Sequence, residues 1–166
     1  MGIIEGAVAR VLTNAGVPSA GTDEVQTLTI GGTPTSGTFK LAFEGFVTAA
    51  ITWSSTNATL LANINTALRA LASLGSSEIT AAAGSLTAGI GTITLTFGGN
   101  RAKQAIGSLI SVADNSLAGT NPTLAIAETT PGVDATYRGA GKGQLVIDTT
   151  NAKLYINTGT ALAPTW

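Results

Sequence analysis

Residues 38–75 read TFKLAFEGFVTAAITWSSTNATLLANINTALRALASLG, and two periodicities in this stretch determine the predicted fold. In the first sixteen residues, apart from the turn, apolar side chains occupy every second position, a pattern typical of strands with one buried side. A turn at Glu44-Gly45 separates two such strands. The inward residues of the first strand are Phe39, Leu41 and Phe43, and those of the second are Val47, Ala49, Ile51 and Trp53. This half of the stretch therefore predicts an antiparallel sheet with one buried face.

The second half of the stretch has the spacing of an amphipathic helix. Its apolar stripe consists of Leu60, Leu61, Ile64, Leu68 and Leu71. Ser, Thr and Asn are available as N-caps, and Gly75 follows as the C′ residue, so we expect a helix over about residues 56–74. An apolar helical stripe beside a one-sided sheet predicts that the helix packs across the buried face of the sheet.

The surrounding sequence adds further strands to this module. EVQTLTI (24–30) is rich in β-formers and precedes a predicted turn, GGTPTSG (31–37). SEITAAA, GTITLTF and PTLAIAETTP are the other predicted strands, whereas residues 101–113 fit a helix or a strand. The fold class is thus α+β, mostly β, with one long helix. The predicted core consists of Phe39, Leu41, Phe43, Ile51, Ile64, Leu68, Ile93 and Leu95.

Changes in composition along the chain predict that it is divided into four segments. We predict an N-terminal arm (residues 1–22), the β-rich module (23–131), a Gly-rich linker (132–142) and a C-terminal hairpin (143–166). In the hairpin, Leu145 and Ile147 share one side of the first strand. A turn at Asp-Thr-Thr-Asn leads into the second strand. An isolated hairpin is marginally stable in water, so we expect the arm and the hairpin to contact neighbouring chains.

The low charge of the chain indicates that much of its surface is covered by other chains. Only 10% of its residues are charged, against about 25% in ordinary globular proteins. Mean hydropathy is +0.36, yet no apolar run has the roughly 18 residues of a membrane helix, and no secretory signal is evident. A net charge of −1 gives no reason to bind nucleic acid or anionic lipid. We therefore expect self-association, with neither a nucleic acid nor a membrane as partner.

The residues that usually carry catalysis are missing from this sequence. The chain has no His and no Cys, which removes the commonest general base, thiol chemistry and most transition-metal sites. GAGKG (139–143) lacks the first Gly and the Ser or Thr of a phosphate-binding loop. The pairs Asp23-Glu24 and Asp114-Asn115, the nearest to cation ligands, fit turns or caps better than a calcium site. We expect no enzymatic activity, no catalytic residue, no metal and no cofactor.

A few apolar and aromatic residues outside the main strand pattern are candidates for contact surfaces. Aromatic side chains are enriched where protein chains meet, and those on the inward side of strands belong to the core. The predicted interface residues are Val8, Val11, Tyr137, Tyr155 and Trp166.

Two motifs resemble structural proteins of tailed bacteriophages. One is the module with VQTL, the Gly-Thr-Pro-Thr turn, GTFKLAF, a helix ending in LASLG and a strand ending in Phe-Gly-Gly. The other is the ending LVIDTTNAKLYINTGTALAPTW, which is similar to a short hairpin near the ends of many phage head and tail proteins. Together they cover about three fifths of the chain.

The resemblance implies a capsid decoration, or cement, protein on the surface of the phage head. Such a protein is made in the host cytoplasm, binds the major capsid protein and itself, and stabilises the head; a homotrimer would suit threefold capsid sites. The alternative is a module of a head or tail fibre that binds a host receptor or a glycan. Neither motif is specific for one place in the virion, so the sequence leaves that place, the oligomeric state and the capsid symmetry open.

Overall fold

A computed structural model describes residues 11–166 and divides the chain into two compact units. We call Thr22–Val133 the core unit, and residues 11–21 together with Asp134–Trp166 the terminal unit. The strands are β1 (Leu12–Asn14), β2 (Val25–Phe43), β3 (Phe46–Val47), β4 (Ile51–Thr52), β5 (Ile79–Ala83), β6 (Gly91–Phe97), β7 (Ser111–Thr130), β8 (Leu145–Asp148) and β9 (Lys153–Ile156); the helix is α1 (Asn57–Arg69). The predicted class, mostly β with one helix and antiparallel sheets, is confirmed.

Strand β2 is the centre of the core unit. Its first half, Val25–Ile30, pairs with β6 on one side and with β7 on the other. Its second half pairs with β3 and β4 on one side, while β7 continues along the other. Strand β5 extends the sheet beyond β6. Every pairing in this sheet is antiparallel.

The turn predicted at residues 31–37 is wrong, because β2 is one strand of 19 residues. The long pairing with β7 shifts register between Gly31 and Thr33 and again between Pro34 and Ser36. Such bulges bend a strand without ending it. Gly32 has φ +72°, and a Cβ there would overlap the carbonyl oxygen of Asn121. The glycines that favoured a turn in the sequence thus permit bulges in a continuous strand.

The strand predicted after Glu44-Gly45 is interrupted, which corrects the predicted positions of Val47 and Ala49. Glu44 and Gly45 both have positive φ and form the predicted tight turn. Val47 pairs with Ala42, whereas Ile51 pairs with Phe39, so the return strand carries one extra residue between the two pairs. That residue reverses the alternation. Val47 is therefore 54% exposed, although Ile51 is buried as predicted.

Helix α1 lies against the core with Leu60, Ile64 and Leu68, each fully buried. It ends at Arg69, five residues before the predicted end at 74. Beyond it, the amides of Leu71 and Leu74 donate to carbonyls three residues earlier, which continues the chain as tight turns. These turns still bury both leucines. The apolar stripe thus extends past the helix that it predicted.

The predicted core is confirmed, since all eight of its residues are buried by 99% or more. They belong to one cluster that includes side chains from both halves of β2, from α1 and from β6. In β6, Ile93, Leu95 and Phe97 are buried while the threonines between them face outward, as the alternation predicts.

Two buried polar residues, Glu24 just before β2 and Gln26 within it, explain why residues 102–110 are neither helix nor strand. The Glu24 carboxylate accepts hydrogen bonds from the Ile106 amide (2.7 Å) and from Gln26 Nε2 (2.7 Å). Gln26 also donates to the Ser108 carbonyl (3.0 Å) and accepts from the Ile110 amide (2.8 Å). Because these side chains hydrogen-bond to backbone groups of the segment, those groups do not need the hydrogen bonds of a helix or a sheet. Regular β structure resumes in β7 at Ser111.

The terminal unit is built on a three-stranded sheet in the order β1-β8-β9. Strands β8 and β9 form the predicted hairpin, and β1, which lies in the predicted arm, pairs with β8 in parallel. Residues 134–142, predicted as part of a linker, belong to this unit: the Thr136 amide donates to the Ser19 carbonyl, and the Gly139 amide to the Ala161 carbonyl. The boundaries therefore differ from the predicted arm, linker and hairpin.

A candidate interaction surface in the terminal unit

The two faces of the terminal sheet have different compositions, because the strand register sorts the side chains. Val146 lies between Leu12 and Tyr155, and Asp148 lies between Asn14 and Lys153. Val146 and Asp148 are fully buried, so this face is directed into the unit. The alternate residues of β8 and β9 are directed to the other face.

The buried face is organised by the carboxylate of Asp148. Its Oδ1 accepts hydrogen bonds from the amides of Gly16, Thr150 and Asn151 at 2.9–3.1 Å, and its Oδ2 accepts one from Asn151 Nδ2 at 2.8 Å. The side chain of Asn151 and these amides hold the pKa of Asp148 below its ordinary value, although burial opposes them. The same carboxylate thus stabilises the turn between β8 and β9 and fixes the position of Gly16 after β1.

A second buried polar residue, Asn157, organises the end of the chain. Its Nδ2 donates to the carbonyls of Ala140 (2.7 Å) and Gly141 (3.2 Å). Its Oδ1 accepts from the amides of Gly159 and Thr165, each at 2.9 Å. Asn157 therefore joins the segment before β8 to the C-terminal residues through four hydrogen bonds.

The opposite side of the sheet is apolar and exposed. Leu145 is paired with Ile156, and Ile147 with Leu154. Thr13 pairs with Ile147, so Val11, two residues earlier, lies on the same side as Ile147. We call this set the apolar face: Val11, Leu145, Ile147, Leu154 and Ile156. The exposed fractions are 44% for Val11, 39% for Ile147, 58% for Leu154 and 51% for Ile156, and Leu145 is half-buried.

The predicted interface residues divide into three groups. Val8 lies outside the described residues, and Val11 belongs to the apolar face. Tyr137 is half-buried, and its hydroxyl donates to the carbonyl of Thr13. Trp166 is also half-buried, and its indole N–H donates to the carbonyl of Thr136 at 3.1 Å. Tyr155, opposite Val146, is on the buried side of the sheet. These three aromatic residues therefore pack within the terminal unit.

Sequence reasoning missed Ile147, Leu154 and Ile156 as surface residues. The alternation separated the two faces correctly, but hydrophobicity alone favours burial of the face that carries them. No local signal reverses this choice, because the burial of Asp148 involves the amide of Gly16, which is distant in sequence.

The core unit has an open pocket of about 470 Å³ in which the guanidinium of Arg101 is already paired with carboxylates. Arg101 donates to both carboxylate oxygens of Glu44 (2.9 and 2.7 Å) and to the Ser73 carbonyl, and its Nε lies 3.5 Å from Glu78. Partial burial works to raise the pKa of Glu78, but hydrogen bonds from the Gly75 amide and Asn100, together with Arg101, lower it overall. These groups close one end of the core and leave no unpaired cation for an anionic ligand.

The two residue pairs considered as cation ligands, Asp23-Glu24 and Asp114-Asn115, form hydrogen bonds within the core unit. Asp23 accepts from the Lys103 amide and lies 3.6 Å from its Nζ, while the Glu24 carboxylate holds residues 102–110 as described above. Asp114 accepts from the Ser116 hydroxyl. Within residues 11–166, no group of three or more acidic side chains is placed to hold a metal ion, and no helix is long and apolar enough to cross a membrane.

Comparison with known proteins gives little further guidance. No family model matches the chain, and no curated protein matches it. A solved structure from Mycobacterium phage Patience is similar, with a TM-score of 0.43 and 14% sequence identity. The similarity covers 83% of this chain and 47% of that one, so the chain spans about half the length of the structure that it matches. A similarity of this size transfers no function.

Proposed function

We propose that this chain is a structural protein of a tailed-bacteriophage virion, a capsid decoration protein that binds and stabilises the head through contacts between subunits. The proposed partners are further copies of the chain, as a homotrimer, and the major capsid protein. The proposal assigns the chain no catalytic activity. Its proposed place is the outer surface of the head.

The observation that carries the proposal is the apolar face. The terminal unit has 44 described residues, and single domains below about 40–60 residues have little core of their own. Its buried hydrophobic side chains, among those described, are Ala135 and Val146, whereas four residues of the apolar face, three of them larger than valine, are exposed. An exposed apolar patch on so small a unit is typical of a surface that binds another protein.

Two properties of the sequence support the same conclusion. The resemblance to phage structural proteins includes the terminal hairpin, which contributes two of the three strands beneath the apolar face. The charged fraction of 10% leaves little electrostatic repulsion between neighbouring subunits. On a shell with many identical sites, contacts that are individually weak act together and hold a protein firmly.

The alternative, a fibre module that binds a receptor or a glycan, has less support. It requires exposed aromatic rings with free polar partners. The Tyr137 hydroxyl and the Trp166 indole N–H already hydrogen-bond to backbone carbonyls within the terminal unit.

Adsorption to phage heads tests the proposal against this alternative. Purified chain is mixed with heads that lack it and, separately, with cells of the phage's host. We expect saturable binding to heads, with a fixed number of copies per head, and a higher temperature of DNA release from decorated heads. Binding to cells without binding to heads would favour the fibre module and contradict the proposal.

A further inference from the structure

We infer that the open edge of β7 pairs with residues 7–10 of another copy of this chain, which add a short parallel strand to the sheet. The inference rests on the proposed function for its setting and deepens it, because it names one contact between subunits. The contact joins the core unit of one copy to the first residues of the next and does not involve the apolar face.

The sheet of the core unit has covered edges at β4 and β5 and an open edge at β7. The side chain of Asn65 in α1 accepts from the amide of Ala81 in β5 and donates to its carbonyl. Asn63 of the same helix donates to the carbonyl of Thr52 in β4. Within residues 11–166, no group outside the sheet hydrogen-bonds to the backbone of Ile126 in β7. An uncovered edge of this kind can accept a strand from another chain.

The strand register shows which backbone groups of β7 are available. The Phe97 amide donates to the Glu24 carbonyl, so Glu24 and every second residue after it hydrogen-bond toward β6. The residues between them hydrogen-bond toward β7, to partners that include Ala125 and Ala127. Ile126, between these two alanines, therefore directs its N–H and its C=O away from β2, to the open edge.

The side chains along this edge determine which strand fits it. Residues 125–128 read Ala-Ile-Ala-Glu, with no register shift. Ile126 is half-buried against the core, and the two alanines are exposed. The carboxylate of Glu128 is exposed and has no hydrogen-bond or ion-pair partner among residues 11–166. The fitting strand has an apolar residue beside Ile126 and a basic residue beside Glu128.

The beginning of the chain has this pattern. Residues 1–10 lie outside the described residues, and positions 7–10 read Ala-Val-Ala-Arg. In a parallel alignment, Val8 lies beside Ile126 and Arg10 lies beside Glu128. The N–H and C=O of Ile126 would then bond to the residues before and after Val8, as in parallel sheets. The two segments thus match in apolar pattern and are opposite in charge.

The direction of the added strand is determined by β1. An antiparallel alignment with Arg10 beside Glu128 would place Leu12 beside Ile126, whereas Leu12 already pairs with Val146 in the terminal sheet. The parallel alignment leaves that pairing intact. It also joins two different surfaces, so the contact can pass from each copy to the next around a closed ring. A ring of three is the proposed homotrimer, with every edge of β7 paired.

A single contact of this size is weak. It comprises four residues and one exposed ion pair, and exposed ion pairs contribute little on their own. In a closed ring each copy makes two such contacts, one through its first residues and one through its edge, which holds the ring more firmly than one contact holds a pair. We therefore expect association that depends on concentration and on salt.

Charge reversal tests the pairing in the full-length chain. Association is followed by sedimentation velocity from about 5 μM to about 1 mM, at low salt, where ion pairs are screened least. We expect Glu128→Arg and Arg10→Glu each to associate at least tenfold more weakly than the unchanged chain, because like charges then meet. The double variant should return to within threefold of the unchanged chain. Asp114→Arg, the same change near the other end of β7, is the control and should alter association by less than threefold.

Hydrogen exchange, measured by NMR, locates the contact without a substitution. The Ile126 amide points to the open edge, so it should exchange rapidly in the dilute, monomeric chain and at least tenfold more slowly in the associated chain. The Ala125 amide, which is directed to β2, is the internal reference and should change by less than threefold.

Four outcomes would overturn the inference. They are a chain that stays monomeric up to about 1 mM, single variants that associate as the unchanged chain does, a double variant that stays as weak as the single variants although circular dichroism shows it folded, and an Ile126 amide whose exchange does not slow on association. An Ile126 amide already protected in the monomer would mean that residues 7–10 cover the edge of their own chain, which also contradicts pairing between copies.

The inference and the proposed function fail separately. A chain that stays monomeric and still adsorbs to heads keeps the decoration role without this contact. A chain that associates with the expected charge dependence but does not adsorb to heads keeps the contact without the decoration role.

Discussion

The core unit buries eighteen hydrophobic side chains in one cluster, whereas the terminal unit is held by the hydrogen bonds of Asp148 and Asn157 around Val146 and Ala135. The core unit has the interior expected of an independent domain. The terminal unit keeps its largest apolar surface outside. The difference is what the proposed function requires, with stability in the core unit and the proposed contact surface in the terminal unit.

The strongest test of this comparison separates the two units. We expect a fragment comprising residues 22–133 to unfold cooperatively at a temperature close to that of its counterpart in the whole chain, because its core lies entirely within it. A peptide comprising residues 134–166 should be unfolded, since it lacks β1 and the Gly16 amide that binds Asp148. Thermal unfolding followed by circular dichroism measures both. An unfolded 22–133 fragment would contradict the division.

The next largest effect is expected inside the core unit. Leu68→Ala removes a fully buried side chain between helix and sheet and should lower the free energy of unfolding by about 2–5 kcal/mol. Chemical denaturation measures the change. Leu109→Ala, at an exposed position of the same unit, is the matched control and should change it by less than about 0.5 kcal/mol. Similar changes in the free energy of unfolding at the two positions would mean that the helix does not bury Leu68 against the sheet.

A smaller effect is expected where polar groups are buried in the core unit. Gln26→Ala leaves the Ile110 amide and the Ser108 carbonyl without their side-chain partner, which should cost about 1–3 kcal/mol. Faster hydrogen exchange confined to residues 106–110 would locate the loss. Uniform exchange across the unit would show instead that Gln26 acts on the whole sheet.

Acid should destabilise the terminal unit before the core unit. This is the smallest of the four predicted effects. Because the folded pKa of Asp148 is depressed, its stabilising contribution is complete above the unfolded value of about 3.9 and is lost as the pH falls through the folded value. We expect NMR signals of the terminal unit to broaden or shift below about pH 4 before those of the hydrophobic cluster change. Asp148→Asn, which does not titrate, should abolish this acid step. Persistence of the step in that variant would assign it to another carboxylate.

The sequence predicted the parts of the fold that depend on apolar periodicity. The alternation of Ile93, Leu95 and Phe97 and the helical spacing of Leu60, Ile64 and Leu68 identify buried faces, because burial requires those periods. The Glu44-Gly45 turn was also predicted, and Gly45 suits it because glycine adopts the positive φ of a two-residue hairpin turn without strain.

The features that escaped prediction depend on partners distant in sequence. Gly32 signals a turn locally, yet it lies in a bulged strand because β7, almost ninety residues later, pairs along the whole of β2. The extended path of residues 102–110 depends on Glu24 and Gln26. The orientation of the apolar face depends on what Asp148 binds, which includes the amide of Gly16. These contacts join residues that are distant in sequence, so a local sequence pattern cannot reveal them.

The order of the two units along the chain has a consequence for biosynthesis. The core unit is inserted between the two segments of the terminal unit, and paired hydrogen bonds between Thr22 and Val133 (2.9 and 3.0 Å) close its ends. During translation, β1 leaves the ribosome long before β8 exists, and domains generally fold as soon as their residues have emerged. The inserted unit, once folded, brings the two segments together and shortens the loop that they must close. We therefore expect the apolar face to form last, on a nascent chain whose core unit has already folded, so that a truncated or misfolded polypeptide does not present this face.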